Sequence, residues 1–144
     1  MPSLLRIDSS SRTQGSHSSQ LADRIQAAWI GAHPDGQVVT RHLTASPLPF
    51  ISAETITGFY TPPGEVSDNL RAATALSDEL ITELKAADTL LIAAPIYNFS
   101  APASLKAWID QITRIGQTFS YENGAFQGLL PTKQAIVACA YGAE

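Results

Sequence analysis

Apolar positions along this chain fall into short runs separated by longer stripes at helical spacing. Leu4-Leu5-Arg6-Ile7-Asp8 reads as a first strand, and Gln37 to Leu43, which alternates weakly around Val38 and Val39, reads as a second. Thr89 to Ala94 is a third, nearly continuous apolar run of the kind carried by a parallel strand covered on both faces, and Lys133 to Ala140 is a fourth. Between them lie three helical stripes. The first helix is predicted from Ser19, with Leu21, Ile25, Ala28 and Trp29 on one face, and stops at Gly31 and the His33-Pro34-Asp35-Gly36 turn. The second starts at Ser67 or Asp68 and buries Leu70, Ala73, Leu76, Leu80, Ile81 and Leu84. The third places Pro102 at its first position, carries Leu105, Trp108, Ile109, Ile112 and Ile115, and ends at Gly116.

Strand–helix alternation of this kind implies a parallel sheet with right-handed crossovers and helices on both faces. The succession fits an α/β, flavodoxin-like three-layer sandwich of strand order 2-1-3-4, within one domain over residues 1–144. Three stretches are expected as loops: Ser9 to Ser19, Thr44 to Glu65 and Gly116 to Pro131. Ligands in such folds bind beyond the carboxyl ends of the strands, at the switch point between strands one and three. The loops after Asp8 and after Ala94 leave from those two strands, so they are predicted to meet in space.

Both loops carry chemistry. In Leu90-Leu91-Ile92-Ala93-Ala94-Pro95-Ile96-Tyr97-Asn98-Phe99-Ser100-Ala101-Pro102, an apolar strand runs into two aromatic rings flanking one amide. That set suits a flat ring system with hydrogen-bonding edges. The first loop holds six serines (9, 10, 11, 16, 18 and 19), with Arg12 as its one cation, and ends at a helix N-terminus. Free backbone N–H groups and the helix dipole favour an anion there, and hydroxyls would hold a phosphate monoester without a full counter-charge. The plainer alternative is that Ser18 or Ser19 caps the helix and the remaining serines are solvated. No G-x-x-x-x-G-K-[ST] or G-x-G-x-x-G pattern follows the first strand.

Composition narrows the field. With 144 residues, 44% hydrophobic and 15% charged, the chain has enough apolar side chain for a real core. A net charge of −4 without a basic cluster argues against nucleic acid as a partner. No apolar run approaches membrane-spanning length, the N-terminus lacks the pattern of a signal peptide, and a single cysteine permits no internal disulfide. A cytoplasmic location is the expectation. Cys139 is read as a buried small hydrophobe, Trp29 and Trp108 as core, and His33 and His42 as surface residues. No His, Cys or carboxylate spacing points to a metal.

The residues also resemble a known family. Ser9-Ser10, then Ser16-His17-Ser18, together with Ala94-Pro95-Ile96-Tyr97-Asn98-Phe99, are similar to the FMN-dependent NADH-azoreductases, which are NAD(P)H:quinone oxidoreductases of flavodoxin-like fold. Leu76-Ser77-Asp78-Glu79-Leu80-Ile81 with Glu83-Leu84-Lys85-Ala86, and Gly116-Gln117-Thr118-Phe119 followed by Tyr121, add to the likeness, which runs from Met1 to Glu144. The resemblance implies that Ser10, Ser16, His17 and Ser18 cradle the FMN phosphate, and that Ile96, Tyr97, Asn98 and Phe99 contact the isoalloxazine edge. It implies that Ala140, Tyr141, Gly142 and Ala143 touch the flavin from the other side. It implies substrate-cavity walls from Phe99 and Tyr121, a homodimer with each flavin near the subunit interface, and the Thr44–Glu65 loop reaching a partner's site. The implied activity is reduction of quinones and cleavage of aromatic azo bonds by a ping-pong route, with NADH or NADPH as donor. No residue is assigned as a general acid or base.

Two departures stand out. The family usually carries Ser-Arg-Gly-Gly where this chain has Ala140-Tyr141-Gly142-Ala143, which removes a hydroxyl and a guanidinium from the flavin loop. The family also continues through a fifth strand and a final helix, so a shortened chain with Ile136-Val137-Ala138-Cys139 on an open edge is expected. Two other readings fit the same residues: a flavodoxin-type electron carrier, and a cofactor-free fragment without activity.

Overall fold

The computed structural model describes residues 1–142. Strand β1 (Ser3–Asp8) is followed by helix α1 (His17–Ala32) and β2 (Gln37–His42). Helix α2 (Ala53–Tyr60), a 3-10 turn (Pro63–Glu65), α3 (Asp68–Lys85) and β3 (Thr89–Pro95) come next. Helix α4 (Ala103–Ile112), the strands β4 (Phe119–Glu122) and β5 (Ala125–Gly128), and β6 (Gln134–Ala140) complete the chain. The main sheet is fully parallel in the order β2-β1-β3-β6, which is the expected 2-1-3-4 with β6 as its fourth strand.

Successive β1 residues point to opposite faces, and the two cores follow from that alternation. Leu4 packs with Ala22 and Trp29 of α1 and with Leu91, Ala93 and Ala138. Leu5 and Ile7 face the other way, onto Leu43, Leu80, Leu84, Leu105 and Trp108. Both tryptophans are core residues, as expected from their helical faces.

Several boundaries differ from the sequence reading. Helix α1 starts two residues early, because the Ser16 hydroxyl accepts the Ser19 N–H and makes Ser16 the N-cap, in place of Ser18 or Ser19. Packed on the sheet, the buried stripe of α1 runs Ser18, Ala22, Trp29, and Leu21 and Ala28 face solvent. The stripe of α3 also differs from expectation: Thr74 and Ser77 join Leu80, Ile81 and Leu84 inside, while Leu70, Ala73 and Leu76 are half-buried. Pro102 is the N-cap of α4 rather than its first residue. That helix stops at Ile112, short of Gly116, because the Thr118 hydroxyl bonds both the Ile112 carbonyl (2.7 Å) and the Arg114 N–H (3.0 Å) and folds the chain back.

Two expected loops contain structure. Within Thr44–Glu65, Ser52 and Thr55 form a reciprocal capping box that starts α2. Gly58 of α2 lets that helix approach α3, since a Cβ there would sit 2.5 Å from the Thr74 methyl. Within Gly116–Pro131, Asn123 and Gly124, at φ 53° and 77°, turn β4 into β5. An Asn-Gly pair between aromatic runs is a hairpin signal, legible in the sequence but missed. Cys139 is exposed rather than buried, because β6 is an edge of the sheet among the described residues.

Asp88 knots the amino ends of the strands. Its carboxylate accepts from the Ser3 N–H at 3.1 Å and lies 3.2 Å from Lys133 Nζ, while its carbonyl accepts the Lys133 N–H at 2.8 Å. Lys133 first, then the Ser3 hydroxyl, holds this carboxyl below its usual value. A depressed carboxylate contributes stability above its unfolded pKa and loses it as pH falls through the folded one. Asp88→Asn is therefore expected to lower the urea midpoint at neutral pH, and the gap to wild type should narrow below the ordinary carboxylate range.

Candidate functional site

The cleft at the carboxyl ends of β1, β3 and β6 is built by three loops. Ser10, Arg12, Ser16, His17, Ser18, Pro95, Ile96, Tyr97, Ala140, Tyr141 and Gly142 enclose about 170 Å³. Each loop has a distinct local cause.

The loop after β1 is held by its serines. Ser9 is fully buried; its hydroxyl donates to the Ala93 carbonyl at 2.7 Å, and its own carbonyl accepts from Ser104 at 3.1 Å. Ser10 accepts the Arg12 N–H, and its carbonyl is held by Thr44 at 3.0 Å. Ser16 and Ser18 lie 3.2 Å apart, hydroxyl to hydroxyl, and both are buried. The Ser16 hydroxyl also accepts the Ser19 N–H, so the pair stands with the first amides of α1 at the end of the cleft, where donors converge. Helix α1 has no acidic side chain in its first turn, and its N-cap takes the Ser19 and Gln20 amides, leaving those of His17 and Ser18 toward the cleft end.

The loop after β3 is a tight reversal. The Tyr97 N–H donates to the Ser100 carbonyl and the Ser100 N–H to that of Tyr97, at 2.9 and 3.1 Å. Asn98 and Phe99 between them have φ of 51° and 65°, the signature of a type I′ turn. Asn tolerates this left-handed region; for Phe it costs about 1–2 kcal/mol. The Phe99 side chain is fully exposed, so packing within the chain does not offset that strain, which is typical of ligand clamps.

Tyr97 joins the two loops: its phenol oxygen accepts the Ser11 N–H at 3.1 Å. Burial alone would raise this phenol's pKa, but the Ser11 N–H, the Ser10 and Ser11 hydroxyls and the Arg12 charge outweigh it and leave it below the ordinary value. The loop after β6 closes the third side, where the Ile96 N–H donates to the Ala140 carbonyl at 2.9 Å. Tyr97→Phe should loosen the serine loop; a loss of about 1 kcal/mol of stability, read from the thermal midpoint, is expected.

The structure thus brings Ser10, Ser16, His17, Ser18, Ile96, Tyr97, Ala140, Tyr141 and Gly142 to one cleft. Asn98 and Phe99 sit on the adjoining turn and do not line it. Tyr121 lies on the β4–β5 hairpin, tilted against Phe126 with ring centroids 4.7 Å apart, and does not line it either. Ala143 lies outside the described residues. Arg6 was missed as a contributor. It reads as the polar member of an alternating strand, yet it is buried beneath α1 with Asp8. Among the described residues no group of carboxylates, histidines or cysteines is placed to hold a metal.

Comparisons with known proteins place the chain by family and fold. Residues 2–144 match the flavodoxin-like fold family. The chain is 55% identical over 143 residues to an FMN-dependent NADH:quinone oxidoreductase of Xanthobacter autotrophicus, covering 99% of this chain and 69% of that protein. It is 43% identical to a protein of the same name from Hydrogenovibrio crunogenus, covering 71% of it. The azoreductase structure from Bacillus anthracis str. Sterne superposes with a TM-score of 0.88 at 26% identity, covering all of this chain and 71% of that one. A second Bacillus anthracis structure, an FMN-dependent NADH-azoreductase in complex with FMN, shares the fold at a TM-score of 0.76 and 20% identity.

Proposed function

The chain belongs to the flavodoxin-like family of FMN-dependent NADH:quinone oxidoreductases, and on that footing we propose that residues 1–144 act as a single FMN-binding domain, with the cleft between the three loops as its flavin site. The activity is FMN-dependent reduction of quinones and azo compounds with NADH as donor. The observation that carries the site assignment is the Tyr97–Ser11 contact. It joins the serine loop that leads into the N-terminus of α1, which lines the cleft, to the strained aromatic–amide turn adjoining it.

The donor set fits the group. A phosphate monoester needs several N–H and O–H donors and tolerates partial counter-charge; buried Ser10, Ser16 and Ser18, the first amides of α1 and Arg12 supply them. The flat edge of a flavin needs alternating donors and acceptors. The backbone of Asn98 and Phe99 and the Asn98 amide supply those beside the cleft, with Tyr141 and Gly142 on the other side. When bound, FMN supplies the hydride chemistry between NADH and the acceptor.

The protein's own share is positional. Ser16 and Ser18 fix the phosphate end, Tyr97 fixes the distance between phosphate loop and ring loop, and the left-handed turn presents Asn98 and Phe99 outward. No side chain in the cleft is required to move a proton. Exposed Phe99 and Tyr121 are proposed as aromatic walls for the planar acceptor. A homodimer belongs to the proposal and is supported by the outward aromatic side chains of Phe50, Tyr60, Phe99 and Phe126. No helix among the described residues is long and apolar enough to cross a membrane, and a cytoplasmic location, where NADH is supplied, completes the reading.

FMN titration followed by visible absorbance, then NADH consumption with and without a quinone, tests this. Bound flavin and quinone-dependent NADH loss are expected; a protein that FMN cannot turn yellow would overturn it. Asn98→Gly and Asn98→Ala separate the amide from the turn. Both should weaken FMN binding about tenfold through the lost flavin contact. Only the alanine variant should also lose about 1 kcal/mol of stability, read from its thermal midpoint. FMN affinity unchanged in both would remove the Asn98 contact.

A further inference from the structure

We propose that Arg6 is a positioning residue that sets the amino end of α1 over β1, and so tunes the grip of Ser16 and Ser18 on a phosphate. The inference rests on the reading of that cleft as the FMN site. Arg6 sits in a β1 position that faces α1, where its neighbour Leu4 and the other residues packed against the helix are apolar. Its side chain is only 7% exposed. Burying an unpaired guanidinium is costly, so its partners matter.

Those partners span two elements. On its own strand, Arg6 Nε donates to Asp8 Oδ1 at 3.2 Å, with Nη2 3.1 Å from the same oxygen. On α1, Nη1 donates to Asp23 Oδ1 at 2.6 Å and to Gln26 Oε1 at 3.1 Å, and Nη2 donates to the Ser19 carbonyl at 3.2 Å. Ser19 is the residue whose N–H the Ser16 hydroxyl caps. One planar fork therefore ties β1 to the first, second and third turns of the helix whose start holds Ser16, His17 and Ser18. Asp8 in turn leads directly into Ser9 and Ser10, and its second oxygen lies 3.4 Å from His42 Nδ1 on β2. Donors in a fixed planar geometry set the helix's register on the strand more narrowly than apolar packing by itself.

A lysine cannot reproduce this. It keeps a charge beside Asp8 but cannot reach Asp8, Asp23, Gln26 and the Ser19 carbonyl together. The test compares FMN with riboflavin, which lacks the phosphate, in the full chain. Arg6→Lys is expected to bind FMN about tenfold more weakly while riboflavin affinity stays within about twofold, the loss being one of charge-assisted positioning at the phosphate end. Asp23→Asn, at an exposed partner, provides the second variant should Arg6→Lys not fold; a smaller fall in FMN affinity with riboflavin unmoved is expected.

Equal losses for both flavins, or a lowered thermal midpoint with both affinities unchanged, would overturn the positioning role. Ser16→Ala with Ser18→Ala keeps the two readings apart. If that pair abolishes the preference for FMN over riboflavin and the Arg6 and Asp23 variants do not disturb it, only the positioning inference fails. If the serine pair leaves the preference intact, the phosphate assignment itself fails.

Discussion

Replacing Ser16 and Ser18 together with alanine should cost FMN binding about a hundredfold, while riboflavin binding changes little. The two hydroxyls are buried, lie 3.2 Å apart and stand at the start of α1. A hydrogen bond to a charged group contributes about 1.5–3 kcal/mol, and a tenfold change in affinity corresponds to about 1.4 kcal/mol. Two such bonds to one phosphate would exceed a hundredfold if fully additive; part is recovered because the helix amides remain. Ser16→Ala also removes the N-cap, at about 1 kcal/mol of helix stability, so the double variant should melt earlier as well. The flavin comparison separates phosphate contact from a general loss of folded protein, since the latter would weaken both ligands alike. Isothermal titration of each flavin against each protein reads the difference, and parallel losses would remove the phosphate role from these serines.

Trp108→Ala should be the most damaging single core substitution, lowering stability by about 3–5 kcal/mol. Trp108 is 2% exposed and packs with Leu5, Ile7, Leu80, Leu84 and Leu105, where α4 and α3 meet the sheet. For a domain of this size, that loss is a large share of the whole. Its indole N–H is buried without a hydrogen-bond partner, so Trp108→Phe removes an unsatisfied donor along with some volume. The phenylalanine variant should therefore stay well above the alanine variant in urea midpoint. The consequence for function is indirect but definite. Helix α4 begins just beyond the Asn98–Phe99 turn and donates from Ser104 to the Ser9 carbonyl, so loosening it slackens both loops at once. Equal midpoints for Trp108→Ala and wild type would show that this core does not carry the sheet.

Much of this was legible in the residues alone. A near-continuous apolar run marked β3, because a strand buried on both faces has little polar alternation to show. The alternation of strands with helical stripes determined the strand order, and the strand order determined that the loops after Asp8 and Ala94 share one end of the sheet. The serines and Tyr97 could be gathered to one cleft because they follow strands whose neighbours were already known; the loop after the last strand was placed beside them by the family resemblance.

What remained hidden depended on contacts between distant segments. Short α2 carries too few residues for a clear stripe, and it forms because Ser52 and Thr55 cap it and Gly58 seats it on α3. Helix α1 buries a different face from its apparent stripe because its packing on Leu4, Leu91, Ala93 and Ala138 of the sheet decides which of its residues are covered. Cys139 looked like core because every residue around it is apolar, and only the sheet's edge exposes it. The charges on Arg6 and Asp8 read as ordinary strand polarity; that they lie buried and tie a strand to a helix is decided by which face α1 covers. Local pattern determines which elements form, because periodicity and capping act within a few residues. The meeting of groups from 17 to 95 residues apart, as in the Arg6 guanidinium with Asp23 or the Ser104 hydroxyl with the Ser9 carbonyl, is set by the packing of those elements.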